Sequence, residues 1–161
     1  MEKPFDYAKL MKAIKVAIEK ETGVQCIEAN SVGKEPAYPF FSWDFVNAHK
    51  DLGFTDNVTE EVFEASIMFQ AHSQKMTEAL NLASWLRKLM LSQSFYDVAS
   101  ANNFYVVDAD EVTDTNNVIS IQVEKRAGVQ VNLRIKDSFR DNVPAIENIN
   151  PNTDTDSNKE G

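Results

Sequence analysis

The side chains able to do chemistry are few and scattered along this chain. His49 and His72 stand far apart, Cys26 has no second cysteine, and no HExxH-type pair occurs. Metal ligation needs three or four such groups converging, so neither a metal nor any other cofactor is expected. Both histidines read as surface or interface residues. Cys26 falls in a predicted strand without a nearby histidine and reads as a small buried apolar residue, not a nucleophile. Asp108, Asp110, Glu111 and Asp114 form an acidic cluster. Counted from Asp108, however, the glycine and glutamate positions of an EF-hand loop hold Thr113 and Ile119, so a solvated turn is expected. Gly33-Lys34 lacks the upstream glycine of a phosphate loop and is followed by Glu35. Asp44, Glu64 and Glu124 have no spacing that sets them apart from outward-facing strand positions. No catalytic residue is assigned, and an enzyme is not expected.

Elements must therefore carry the function. The chain has 161 residues, of which 43% are hydrophobic, enough for one domain with a sizeable core. Its net charge of −9 argues against a general phosphate-binding surface, because DNA affinity rests on Lys and Arg neutralising phosphates. No apolar run approaches the roughly 18 residues of a membrane span, so no membrane partner is expected. The opening residues Met-Glu-Lys-Pro-Phe-Asp lack signal-peptide order, and a lone cysteine fits a cytosolic origin or assembly inside a cell.

Helical spacing of Leu10, Ile14, Ala17 and Ile18 predicts a helix over 5–22, with Asp6 near its start and Gly23 as its stop. Residues 24–29 read as a short strand and 30–39 as a loop. Alternation predicts a strand over 40–46, with Phe41, Trp43 and Phe45 on one face and Ser42 and Asp44 on the other. Residues 49–59 read as a connection. The run 61–73 is a long half-buried strand: Phe63, Ala65, Ile67, Phe69 and Ala71 face inward, and Val62, Glu64, Ser66, Met68, Gln70 and His72 face outward. Ser73 is the expected N-cap of a helix over 74–91. A short helix is expected within 92–103, then strands over 104–108, 118–123 and 129–135, with a polar turn over 110–117. The order points to an α+β domain over residues 1–136, an antiparallel or mixed sheet with two main helices on one face. Residues 137–161 form an acidic, polar C-terminal tail, disordered or bound to a partner.

The helix over 74–91 carries surplus apolar surface. Met76, Ala79, Leu80, Ala83, Leu86 and Met90 form one stripe. Leu82, Trp85 and Leu89 read as a second, roughly 200° around the helix. That second stripe is expected to be covered by another chain, with Trp85 its best single contact. Val62, Met68 and the tail residues Val143, Ile146 and Ile149 join it as candidate interface positions. Arg126 and Arg134 stand in a basic cluster that reads either as a solvated face or as a contact for an acidic neighbour.

Several segments, in order, resemble the neck or tail terminator proteins of long-tailed phages. They are Glu21-Thr-Gly-Val24, Tyr38-Pro-Phe-Phe-Ser42, Phe63-Glu-Ala-Ser-Ile-Met-Phe69, Glu78-Ala-Leu-Asn-Leu-Ala83, Phe104-Tyr-Val-Val-Asp108 and Glu124-Lys-Arg-Ala-Gly-Val-Gln-Val-Asn-Leu-Arg134. The sequence departs from that pattern at Ala127, where an aromatic residue often stands, and in the tail after Asp137. The resemblance implies a tail-terminator-like fold and a structural virion protein. It implies a homo-oligomeric ring, commonly hexameric, that ends the tail tube and joins it to the head-side connector. Double-stranded DNA would pass through the lumen without sequence-specific binding. A head-completion or connector-stopper protein is the nearest alternative; a small ligand-binding domain or enzyme is the other.

Overall fold

The computed structural model describes residues 3–53, 59–117 and 124–139. Helix α1 spans Tyr7–Thr22. The Asp6 carboxylate accepts the Ala8 and Lys9 amides, and Gly23, at φ 67°, donates its N–H to the Glu19 carbonyl. Gly23 is the stop the sequence predicts, since glycine enters the left-handed region without a Cβ penalty, and Asp6, expected only near the helix start, is the N-cap itself. Strand β1 (Cys26–Glu28) is short. β2 runs Phe40–Asp51 and β3 Glu61–Ser73. Helices α2 (Met76–Met90) and α3 (Gln93–Ala101) follow. Then come β4 (Phe104–Ala109), the two-residue β5 (Thr113–Asp114) and β6 (Lys125–Asp137).

The strands form one mixed sheet in the order β1-β2-β3-β6-β4, with β5 also on β6. Among the described residues only β1 and β2 are parallel, and the other pairings are antiparallel. Alternation puts Phe63, Ala65, Ile67, Phe69 and Ala71 of β3 in the core beside Val129, Val131, Leu133 and Ile135 of β6. All three helices contribute to that core, from Leu10, Ile14 and Ile18 to Leu86, Phe95 and Ala99. The even-numbered β3 positions line the opposite, open face.

Several boundaries differ from expectation. β2 continues to Asp51 through register shifts at Phe45/Asn47 and Asn47/Lys50, which break the period-two pattern and disguise it as a loop. α2 begins after Ser73, whose hydroxyl accepts the Lys75 amide and donates to Glu78, so Ser73 braces the turn and is not the cap itself. β6 starts at Lys125, ahead of the expected 129. The expected polar turn over 110–117 contains β5. The expected strand over 118–123 lies outside the described residues.

One close approach matters. A Cβ on Gly128 would stand 2.8 Å from Thr115 Cγ2 and 3.2 Å from Met68 Sδ. Threonine is stiff at χ1, so Gly128→Ala is expected to lower stability by about 1–3 kcal/mol. Chemical denaturation checks this, and a wild-type midpoint would show that the β5–β6 contact yields freely.

Candidate functional site

The helix α2 carries one apolar stripe, not two. Its buried residues are Ala79, Leu82, Ala83, Leu86, Leu89 and Met90. At about 100° per residue, Leu82 and Leu89 lie only about 40° and 60° from Leu86, within a single stripe about 120° wide. Both are 8% exposed and belong to the chain's own core. The expectation that another chain covers them is therefore corrected. Trp85 falls just outside the stripe and is 44% exposed.

The remaining predicted interface residues do not gather into one patch. Val62 is exposed and Met68 half-buried, both at open-face positions of β3, whereas Trp85 sits in the helical layer on the other side. Arg134 pairs with Glu64 at 2.9 Å across the open face. Arg126 grips Glu124 through Nε and Nη2 at 3.0 and 3.2 Å. Both arginines thus have carboxylate partners within the chain. Val143, Ile146 and Ile149 lie outside the described residues. Further exposed apolar surface lies on β4, an edge strand among the described residues, where Tyr105 and Val107 are exposed and Tyr105 meets Tyr96 of α3 at 5.7 Å between ring centroids.

Sequence reasoning missed the most organised polar feature. The sheet register places Phe40 opposite His72 and His72 opposite Arg126. This brings Ser42, His72 and Glu124 together, each buried to about 5–6% exposure. Ser42 Oγ lies 2.6 Å from His72 Nε2, and His72 Nδ1 meets Glu124 Oε1. The network assigns the proton to Nδ1, donated to the carboxylate, with Nε2 accepting from the Ser42 hydroxyl. Phe40 stacks on the imidazole at 4.4 Å and Tyr38 stacks on Phe40, so an aromatic roof closes this corner of the open face.

The electrostatics agree with that assignment. Burial holds the His72 imidazole below its usual value, outweighing the pull of Glu124. Burial also pushes the Glu124 carboxyl up, but hydrogen bonds from Arg126 and His72 outweigh it and keep the group below the ordinary range. The pair is therefore a carboxylate and a neutral imidazole. Tyr38 is pushed up by burial first and then by the Glu124 charge.

Ser42, His72 and Glu124 have the connectivity of nucleophile, base and orienting group. The setting differs from a working triad. Ser42 lies inside β2, paired with β1 on one side and β3 on the other, not on a turn that projects its hydroxyl. Burial and the nearby Glu19 charge push the Cys26 thiol up to about 12, which fits the expected inert, buried role. His49, Asp51 and Glu61 bring one ligand atom each within 4.8 Å of one another. The two carboxylates, however, approach opposite ring nitrogens of His49, at 3.4 and 2.8 Å. Among the described residues these read as surface contacts of His49 with two carboxylates.

A family model described as phage neck terminator protein matches residues 8–160. Comparison with curated proteins returns no match. The match spans nearly the whole chain, and the chain belongs to the phage neck terminator family, structural proteins of the virion neck.

Proposed function

We propose that this chain forms a closed homo-oligomeric ring, a hexamer, that ends the tail tube and joins it to the head-side connector, with double-stranded DNA passing through its lumen. Family membership over residues 8–160 carries the reading. A ring of identical subunits is a heterologous contact between two different patches of one surface. Trp85 in the helical layer and Tyr105 and Val107 on the β4 edge supply exposed apolar surface on separate parts of the subunit, and tryptophan and tyrosine are frequent anchors at such contacts. The net charge of −9 suits a lumen through which phosphates slide without being held.

Light scattering and negative-stain imaging of the purified chain, alone and with tail-tube protein, test this. Rings in either sample are expected. A chain that stays monomeric in both overturns the reading, and binding to the connector alone moves it to a connector-stopper role.

The linked Ser42, His72 and Glu124 favour one second reading, a serine hydrolase. A fluorophosphonate probe distinguishes the two. The neck reading expects Ser42 to stay unmodified by mass spectrometry; stoichiometric labelling lost in His72→Gln would establish the hydrolase instead.

A further inference from the structure

A groove of about 600 Å³ runs between α1 and the β1–β2 edge. Tyr7, Met11, Lys12 and Lys15 form its helical wall, and Ile27, Trp43 and Phe45 line the sheet side. Trp43 and Phe45 take core-side positions on β2 yet are only half-buried. The reason is topological: β1 pairs with β2 only through Trp43. Beyond that residue, among the described residues, no strand lies against this side of β2.

The chain ends its described course beside this groove. Asp137 and Ser138 share a surface pocket with Phe5, Asp6 and Lys9 at the start of α1, and the groove opens at Tyr7 and Ala8 on the same helix. Three residues separate Phe139 from Val143, and the four Cα steps between them span up to about 14 Å. From Tyr7 to Lys15 the helix rises about 12 Å. The following sequence pairs apolar Val143, Ile146 and Ile149 with Asp141 and Glu147. That composition complements an apolar floor walled by Lys12 and Lys15, where Lys15 also reaches Glu19 at 3.8 Å and Glu28 stands on the β1 side.

We propose that this groove is the docking site for the chain's own C-terminal segment, residues 143–149. The apolar residues cover Trp43, Phe45 and Met11, and Glu147 faces Lys12 and Lys15. Tethering beside the groove gives the segment an effective concentration in the millimolar range, which favours its own subunit over a neighbour. The ring reading is not required.

Trp43 supplies the test. The chain has two tryptophans, so Trp85→Phe leaves Trp43 as the sole reporter. In that background, replacing Val143, Ile146 and Ile149 with Asp is expected to red-shift the emission and raise acrylamide quenching at every protein concentration. Adding a synthetic peptide of residues 140–161 is expected to reverse both. Unchanged emission overturns the proposal. So does a change seen only where copies associate, which would assign the groove to a neighbour's segment. If the triple variant fails to fold, Lys12→Cys with Ile146→Cys in a Cys26→Ala chain decides. An intrachain disulfide supports the proposal, and interchain or absent cross-linking overturns it.

Discussion

Leu82→Ala and Leu89→Ala are each expected to lower the unfolding free energy by about 2–5 kcal/mol, the range for truncating a buried leucine. Both side chains are 8% exposed within the subunit, so the loss appears in monomer denaturation, before any assembly. Trp85→Ala, three residues from Leu82, is expected to stay within about 0.5 kcal/mol of wild type in the same experiment. Its effect should emerge in subunit association, where an anchoring tryptophan contributes about 2 kcal/mol or more. Urea titrations below the association concentration, paired with sedimentation of the same variants, separate the two. A Trp85→Ala subunit as unstable as Leu82→Ala would place Trp85 in the core. Stable leucine variants that fail to assemble would restore the second apolar stripe.

Breaking the buried polar chain is the other large effect. Glu124→Ala leaves the His72 Nδ1–H without its acceptor and Arg126 without its carboxylate, which costs about 3 kcal/mol, the low end for a broken buried pair because Arg126 stays partly exposed. The same network sets a pH dependence. His72 has a folded value below its ordinary 6.5, so on acidification the unfolded chain takes up the proton first. Stability therefore falls as pH drops below 6.5 and continues to fall until the folded imidazole titrates. Glu124, also lowered from its ordinary 4.5, adds a second loss of the same sign below that pH. His72→Gln preserves a donor to Glu124 and an acceptor for Ser42 but cannot titrate. Its urea midpoint should change less than wild type between pH 7.5 and 5.5. Parallel declines in both proteins would remove His72 as the source.

Local chemistry was legible where local chemistry decides. Gly23 stops α1 because it lacks a Cβ, Asp6 stands at the helix start where its charge is favoured, and β3 keeps the bounds Glu61–Ser73 that its alternation marks. The stripe on α2 failed for an angular reason, since positions 82 and 89 sit on the rim of the 79–86–90 face. The polar chain failed for a topological one. Its members are 30 and 52 residues apart, and only the cross-strand register joins them. One signal was present: Phe40 and Tyr38 stand where an outward-facing strand end should be polar. Large aromatic rings at such positions mark a part of the open face that is covered, and buried polar neighbours must then find partners. The parallel β1–β2 pair was equally unreadable, because nothing in three residues specifies direction.

β6 stands between β3 and β4 in the sheet, yet it follows both in the chain. A ribosome therefore delivers the middle of the fold last. Among the described residues, before Lys125 emerges β4 has no strand to pair with and β3 is bonded on one side only. Phe63, Ile67 and Phe69 then lack the facing residues of β6 that complete their burial. A chain terminated before β6 cannot pass as a finished subunit, because it ends as an open, adhesive half-sheet suited to chaperones and proteases. Only a chain that has reached Asp137 joins β3 and β4 through β6, so placing the keystone strand late makes its synthesis a condition of completing the sheet.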